Sequence, residues 1–296
     1  MQFFNNTNFA LIDKRKMGYI VSATLLIISI GSLILHGGPK LNIDFTGGSL
    51  LHLQFEKNVE IQEFRDLLAS RNLKGEIKHF GAENEISIRM STEHIKEDIA
   101  SLLSADINAA IPDNPFEILR NETVGPKIGV ELLLDALYAI FVAMLLILLY
   151  VIVRFEFKFS IGAIAALAHD VIITLGIFSV FEIEISAPII AAVLTIVGYS
   201  LNDTIVVFDR VRENLKAASK NIKDITDLVN KSLNETLSRT VVTSLTTLIV
   251  VVVLYFLGGE VLKTFAFALI IGVLIGTYSS IFVASPIVVD WKTKKA

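Results

Sequence analysis

The sequence predicts a bundle of six membrane-spanning helices, interrupted between the first and second helix by one soluble α+β domain. Three observations support this fold class. The 296 residues are 53% hydrophobic, several stretches long enough to cross lipid carry almost no charge, and one long polar segment separates the first stretch from the others. Because a helix needs about 20 apolar residues to cross a hydrocarbon core of about 30 Å, we expect one membrane bundle and one small globular insert.

Six apolar runs have the required length. The first is long for a signal peptide and no small-residue cleavage site follows it, so we interpret it as a retained helix rather than a cleaved leader. The runs are Met17–Leu35, Leu132–Val153, Ile161–Phe181, Pro188–Phe208, Thr240–Leu257 and Thr264–Val289.

Basic residues predict the orientation, because Lys and Arg accumulate in the short loops on the cytoplasmic side. With six crossings, all the basic groups fall on one side: Lys14, Arg15 and Lys16; Arg154 and Lys158; Arg210 to Lys231; Lys292, Lys294 and Lys295. Both termini are therefore expected in the cytoplasm. We predict four regions: an N-terminus with the first helix (1–35), an outer domain (36–131), helices two to six (132–289) with a cytoplasmic amphipathic link (209–239), and a cytoplasmic tail (290–296).

The outer segment carries 10 basic and 16 acidic residues, a net charge of −6, as expected for a domain that stands in water. Its pattern predicts the order βαββαβ, a ferredoxin-like arrangement. The elements are strand Ser49–Phe55, helix Ile61–Arg71, strands Glu76–Phe80 and Glu85–Met90 around the turn Gly81–Asn84, helix Glu93–Ala110 capped by Ser91 or Thr92 with Ile95 on its apolar face, and strand Phe116–Glu122.

The same segment contains no nucleophile–base set, no metal-ligand cluster and no phosphate-binding loop, and the whole chain lacks cysteine. We therefore expect no enzyme activity, cofactor or metal, and interpret the domain as a binding or docking module. His52, His79 and His94 are scattered and are expected on the surface.

Two further patterns concern the bundle. Gly272 and Gly276 form a GxxxG motif, which lets helices approach closely. Apolar residues recur at helical spacing between Ile222 and Leu237, and this pattern predicts an amphipathic helix on the membrane surface before the fifth span. Its apolar face comprises Ile222, Ile225, Val229, Leu233 and Leu237.

Asp203 is an ionisable residue inside the fourth span, where a charge costs about 2.5–3.5 kcal/mol even on insertion scales. At 1.5 Å per residue it lies roughly 9 Å inside the cytoplasmic boundary. Tyr199, Asn202 and Thr204 surround it with polar groups. The alternative, an aspartate that reaches the interface, is disfavoured by its short side chain.

Arg239 begins the fifth span in the same leaflet, so a pair with Asp203 is geometrically plausible. Hydroxyls follow it at Thr243, Thr246 and Thr247, with Thr240 and Ser244 adjacent, and we expect one polar face towards the bundle. For Arg239 alone, an arginine at the boundary that reaches lipid phosphates is the alternative. A carboxyl group away from water favours its neutral form and a facing arginine favours the charged form, so such a pair could respond to a proton flux.

His169 and Asp170 lie near the middle of the third span. Two interpretations remain open for them. Asp170 could be a buried acid bonded to Thr174 beside a neutral, packed histidine, or the His–Asp step could relay protons.

Six motifs give the sequence a resemblance to the SecF family of the bacterial Sec export machinery, within the RND superfamily. They are NIDFTGGS (Asn42–Ser49), VGPKIGVEL (Val124–Leu132), RFEFKFSI (Arg154–Ile161), ALAHDVIITLGIF (Ala166–Phe178), GYSLNDTIVVFDRVREN (Gly198–Asn214) and ETLSRTVVTSLTT (Glu235–Thr247). The fifth is the most specific.

The resemblance implies half of an RND-type transporter in the bacterial inner membrane, with SecD as the other half. It implies that the two together use the proton-motive force to help secreted chains leave the SecYEG channel in the periplasm. Expected partners are thus SecD, SecYEG with YajC and YidC, unfolded secretory polypeptides, protons and lipid. The family's functional acid and arginine match Asp203 and Arg239, and a partner aspartate belongs to SecD. The resemblance gives His169 and Asp170 no role.

Three other functions compete with this one. A stand-alone RND-type exporter of small molecules or lipids would need a substrate cavity within one chain or its copies. An intramembrane aspartyl protease using Asp170 and Asp203 is disfavoured because the GxGD motif is absent. A structural clamp without proton coupling stays open.

Overall fold

The computed structural model describes residues 7–71, 73, 75–90, 99–218 and 225–293. The chain forms two compact units, residues 1–40 with 139–296, and residues 41–138. The predictions for Ser91, Thr92, His94, Ile95 and Ile222 lie outside the described residues.

Among the described residues, six helical segments are long and apolar enough to cross a membrane, which confirms the predicted count. Helices α7 (Ala187–Ala217) and α8 (Ile225–Leu257) both extend well beyond the predicted spans, and a π-helical turn, Ser280–Ala284, interrupts the last segment. The segments are α1 (Arg15–Leu35), α5 (Pro126–Arg154), α6 (Phe157–Val180), α7 (Ala187–Ala217), α8 (Ile225–Leu257), and α9 (Gly259–Ser279) with α10 (Ser285–Thr293).

Helices α6, α7 and α9 form the centre of the bundle. About half of the residues in their apolar windows are buried (56%, 50% and 56%), against 6% in α5 and 11% in α8. Glycines allow the close approaches: a Cβ atom on Gly272 would lie 2.2 Å from Ile196, and one on Gly176 would lie 2.0 Å from Ser29. The predicted GxxxG motif thus packs α9 against α7.

The link before the fifth span differs from its prediction. The predicted surface helix is the first part of α8, which runs without a break from Ile225 to Leu257. Val229 and Leu233 are 1% and 2% exposed and belong to the same buried cluster as Val211 of α7. The apolar face packs against protein rather than lipid, because the extended α7 provides an apolar surface beside it.

The segment before α1 is held by two asparagines of this α8 extension. The Asn234 side chain bonds both backbone atoms of Phe9: the amide nitrogen of Phe9 donates to Oδ1 (2.8 Å), and Nδ2 donates to the carbonyl of Phe9 (2.9 Å). Asn230 accepts from the amide of Ile12, whose side chain is fully buried. The two asparagines are one helical turn apart and so present adjacent side chains.

The second unit contains a four-stranded antiparallel sheet in the order β2-β3-β1-β4, and the predicted strands are confirmed. Gly81 forms the β2–β3 turn with φ +87°, so the hairpin is tighter than expected. The elements are α2 (Ile43–Thr46), β1 (Gly48–Phe55), α3 (Ile61–Ser70), β2 (Gly75–Phe80), β3 (Ala82–Met90), α4 (Ile99–Ala110) and β4 (Phe116–Val124).

Apolar side chains from β1, β3, α3 and α4 form the core of this unit. The prediction of a surface position is wrong for His52. It is 7% exposed, its ring meets Phe80 edge to face at 4.4 Å, and Nε2 lies 3.3 Å from Glu85. Cross-strand partners cover the imidazole, a contact that no one-dimensional pattern specifies. His79 is exposed as expected.

We expect Gly176→Ala to destabilise the bundle, because its methyl group would overlap Ser29 of α1. Overpacking of this kind costs about 1–3 kcal/mol of unfolding free energy, measurable as a lower thermal midpoint in detergent. Gly31→Ala is the matched control, since no atom lies within 4 Å of its Cβ position. Equal midpoints for the two variants would contradict the α1–α6 packing.

We expect Asn234→Ala to release the segment before α1. Loss of two hydrogen bonds worth about 1 kcal/mol each should make trypsin cleavage at Lys14–Lys16 several-fold faster in the detergent-solubilised protein. Asn202→Ala removes an exposed asparagine and serves as control. Unchanged cleavage in Asn234→Ala would show that Asn234 does not hold the segment.

Candidate functional site

Asp203 is buried in the bundle, with 2% of its surface exposed. Ser244 of α8 lies beside its carboxyl group, and Oδ2 is buried without a hydrogen-bond partner. Almost all buried polar atoms in proteins have a partner. The interpretation of an aspartate that reaches the interface is therefore wrong, and the site contains one unsatisfied acceptor atom.

Arg239 is an electrostatic neighbour of Asp203 rather than its salt-bridge partner. Its positive charge acts on the carboxyl group, but no ion pair within 4.0 Å joins the two in the described part of the chain. The arginine side chain is exposed on α8, one of the two least buried spans. The structure thus places the two predicted residues near each other, but they do not form an ion pair.

The hydroxyl groups on α8 divide into two sets. Ser244 contacts Asp203 and also shares a hydrogen bond of 2.7 Å with Thr277 of α9. Thr240, one turn earlier, is buried with Oγ1 unpartnered. Thr243 and Thr246 instead donate to carbonyls of their own helix. The predicted polar face is thus only partly turned to the bundle: Thr240 is buried, Thr243, Ser244 and Thr247 are half-buried, and Thr246 is exposed.

The predicted polar support around Asp203 is partly present. Tyr199, one turn earlier on α7, has a buried hydroxyl without a partner, and Thr204 is buried and donates to the Ser200 carbonyl at 3.2 Å. Asn202 is exposed. The turn of the helix directs Asn202 away from the bundle interior, so support from this residue stays a prediction.

Ion pairs at the predicted cytoplasmic end mark the boundary below Asp203. Arg154 and Arg212 both contact Asp209, at 3.1 Å and 3.0 Å, and Arg210 contacts Glu235 at 2.6 Å. Asp209 is six residues after Asp203, about 9 Å along a helix. The predicted depth of Asp203 is counted from this charged layer and stays a prediction.

Asp170 is the second buried acid, 1% exposed, and it joins three helices. Oδ1 lies 2.8 Å from Nδ1 of His169, and Oδ2 accepts from Ser200 of α7 (2.6 Å) and Ser279 of α9 (2.7 Å). The predicted bond to the Asp170 carboxyl group from Thr174 is wrong. Thr174 donates to the Asp170 backbone carbonyl instead, the common arrangement for a threonine inside a helix.

His169 is packed but not fully satisfied. Its ring stacks on Tyr278 with centroids 6.1 Å apart, and Nε2 is buried without a hydrogen-bond partner. Tyr278 continues the polar contacts to α1, donating to the Gly18 carbonyl at 2.7 Å and pairing with Ser22 at 3.0 Å. Both interpretations of the His–Asp step therefore remain open.

The sequence placed Ser244 beside the polar face of α8 but did not link the hydroxyl groups to particular acids. In the structure Ser200 and Ser279 bond Asp170, and Ser244 lies beside Asp203; Ser279 was missed. A small hydroxyl inside an apolar run was the available signal, but each can equally bond its own helix. The described residues contain no group of three His, Cys, Asp or Glu side chains that could hold a metal ion.

Comparison with known proteins gives consistent matches. The family of SecD/SecF protein export membrane proteins, C-terminal part, matches residues 104–294. Protein translocase subunit SecF of Rhodothermus marinus is 43% identical over 100% of this chain and 97% of its own length. The Desulfurispirillum indicum SecF is 47% identical over 93% of this chain and 90% of its own length.

A solved structure is also similar. The crystal structure of SecDF from Thermus thermophilus, described as a translocon-associated membrane protein, matches with a TM-score of 0.88 and 40% identity. The match covers 99% of this chain but 40% of that one. The present chain therefore corresponds to less than half of the SecDF polypeptide.

We expect Asp170→Ala to be strongly destabilising. It leaves the hydroxyls of Ser200 and Ser279 and the imidazole of His169 without their acceptor, and breaking a buried polar cluster in this way costs about 3–5 kcal/mol. Thermal midpoints in detergent measure the loss. Asp135 is an exposed aspartate of α5, so Asp135→Ala should change the midpoint little. Equal midpoints for the two variants would contradict a stabilising role of the polar cluster around Asp170.

Proposed function

The chain belongs to the SecD/SecF family as an accessory subunit of Sec protein export, and we propose that with SecD it uses the proton-motive force to promote late translocation. In this proposal, movement of the bundle helps secreted proteins leave the SecYEG channel. The observation that carries it is the buried carboxyl group of Asp203, with one unpartnered oxygen and Arg239 close by.

The chemistry of Asp203 suits reversible protonation. Oδ2 is buried without a hydrogen-bond partner and is therefore free to take a proton, and a neutral carboxylic acid would no longer attract Arg239. A proton that crosses the membrane field gains about 2.3 kcal/mol per 100 mV. Binding and release at Asp203 would therefore switch the attraction between α7 and α8, and so favour one of two helix packings.

Exposure of the outer spans supports a partner such as SecD. Helices α5 and α8 bury little of their surface within the chain, and the Arg239 side chain points outward from α8. Because an exposed arginine in a membrane span needs an anionic partner or the interface, a carboxylate of SecD is the expected counterpart. This chain covers 40% of the SecDF structure, which is consistent with a chain that forms half of a transport unit. YajC and YidC remain expected neighbours.

The placement of the outer domain is part of the same proposal. Its βαββαβ order and the sheet order β2-β3-β1-β4 support a ferredoxin-like module, and its net charge of −6 suits the aqueous periplasm. Basic residues near the opposite ends of the spans support cytoplasmic termini in a bacterial inner membrane. The module would dock the unfolded secretory chain as it emerges.

We expect Asp203→Asn to abolish the proton-dependent part of export, because an amide cannot exchange a proton at neutral pH. Export in inverted membrane vesicles should fall to the level reached when the proton gradient is collapsed. Membrane insertion and co-purification with SecD should persist, since the amide has nearly the same shape.

The control is Asp227→Asn, the same change at an exposed site on the α8 extension, which should export normally. Normal proton-dependent export by Asp203→Asn would refute the coupling and leave a structural clamp. Isolation of a self-complex without SecD or channel subunits would favour the stand-alone exporter.

A further inference from the structure

The cluster around Asp170 is the largest buried polar feature that the proposed function leaves without a task. Three donors converge on one carboxyl group, and they come from three helices: His169 beside it on α6, Ser200 on α7 and Ser279 on α9. Serine hydroxyls bound to a carboxylate are short, charge-assisted contacts. In a bilayer no water competes for them, so this cluster fixes the three helices relative to one another.

One of these donors lies directly before Asp203. Ser200 precedes Asp203 by three residues and therefore sits almost one turn away on α7, on a neighbouring part of the helix surface. Gly276 of α9 contacts the other side of Ser200: a Cβ atom at Gly276 would lie 3.0 Å from Cβ of Ser200. This turn of α7 is thus confined by a hydrogen bond to α6 and by the α9 backbone.

The backbone beside the cluster is also irregular. The π-helical turn Ser280–Ala284 begins directly after Ser279, and Gly162 of α6 approaches it so closely that a Cβ atom would lie 2.8 Å from the Ala284 carbonyl oxygen. Single π turns inside long helices occur frequently at functional sites. Here the π turn lets α9 present Ser279 to Asp170 before the last span continues as α10.

We propose that Asp170 is a positioning residue for Asp203. By holding Ser200 and Ser279, it fixes the α7 turn that carries Asp203 against α6 and α9, so that movement during proton coupling is confined to α8 and Arg239. The contacts that hold Asp203 in place do not depend on the proposed function. Their role in proton coupling rests on the function proposed above. The cluster of Asp170, Ser200 and Ser279 holds Asp203 in a fixed position, and Ser244 and Arg239 can move towards it or away from it.

The titratable and charged groups around the two acids come from several elements. His169 and Tyr278 face Asp170 from α6 and α9. Arg239 acts on Asp203 from α8, and Tyr199 lies one turn before it on α7 itself. A change in the pH response of Asp203 after a serine substitution would therefore arise without alteration of any of these groups.

The test measures the protonation of Asp203 directly. Dicyclohexylcarbodiimide reacts with protonated carboxyl groups in apolar surroundings, and peptide mass spectrometry reports the modified fraction of Asp203 as a function of pH. The full chain is used in native membranes that contain its partners. We expect Ser200→Ala and Ser279→Ala to move the pH of half-labelling by about 0.5–1 unit, the effect of one lost hydrogen bond.

Ser179→Ala is the matched control. Ser179 shares a buried hydrogen bond of 2.9 Å with Ser32, which joins α6 to α1 away from Asp170. This variant loses an interhelical bond of the same kind, so a general loosening of the bundle would move its midpoint too. We expect its labelling curve to match that of the unaltered chain.

Asp170→Asn completes a double-mutant cycle. If Ser200 acts through Asp170, Asp170→Asn with Ser200→Ala should shift the midpoint no further than Asp170→Asn alone. Should Asp170→Asn fail to accumulate in the membrane, a cycle between Ser200→Ala and Ser279→Ala takes its place, with the same expected non-additivity.

The positioning role is overturned by any of three results: unshifted midpoints in both serine variants, an equal shift in Ser179→Ala, or no pH-dependent labelling of Asp203 in the unaltered chain. The labelling assay does not measure export. If Asp203→Asn exports normally while the serine variants shift as expected, the coupling function fails and the positioning role stands.

Discussion

Polar side chains inside a bilayer have no water to bond, so other helices must satisfy them, and this constraint orders the whole bundle. The helices that carry His169, Asp170, Ser200 and Asp203 lie at the centre. The most apolar span, α5, has a mean hydropathy of 2.9 and is 6% buried, whereas α7, with 1.7, is 50% buried. The order is the reverse of a soluble core, because apolar faces are stable against lipid and polar groups are stable only against protein.

Two buried acids meet this constraint in opposite ways. Asp170 has contacts on both oxygens, from His169 on Oδ1 and from Ser200 and Ser279 on Oδ2, and these groups come from three helices. Asp203 has a bare Oδ2, with Ser244 beside its carboxyl group and the positive charge of Arg239 close by but not ion-paired. A satisfied acid fixes a structure, while an unsatisfied acid has a position left for a proton. The difference in satisfaction is the physical basis for assigning one acid to positioning and the other to coupling.

Helix α8 connects these interior features to the surface of the bundle. Its first turns hold the segment before α1 through Asn230 and Asn234, its middle carries Ser244 and Arg239, and most of its remaining surface is uncovered. Its apolar window is 11% buried, against 56% in α6 and 50% in α7, so most of its membrane face is left for a partner. In the function we propose, α8 is therefore the element through which protonation of Asp203 would reach SecD and the secreted chain.

Run length determined six spans, and the local pattern of apolar and turn residues determined the strands of the second unit, because both depend on local composition and on lengths along the chain. Family motifs then pointed to Asp203 and Arg239. The sequence could not assign Ser200, Ser244 and Ser279 to the acids. It also could not predict that His52 is buried, or that the amphipathic segment continues into α8. Each of these depends on which helix or strand faces which. Only the tertiary structure decides that, because a hydroxyl can bond its own helix as readily as its neighbour until packing brings an acceptor within reach.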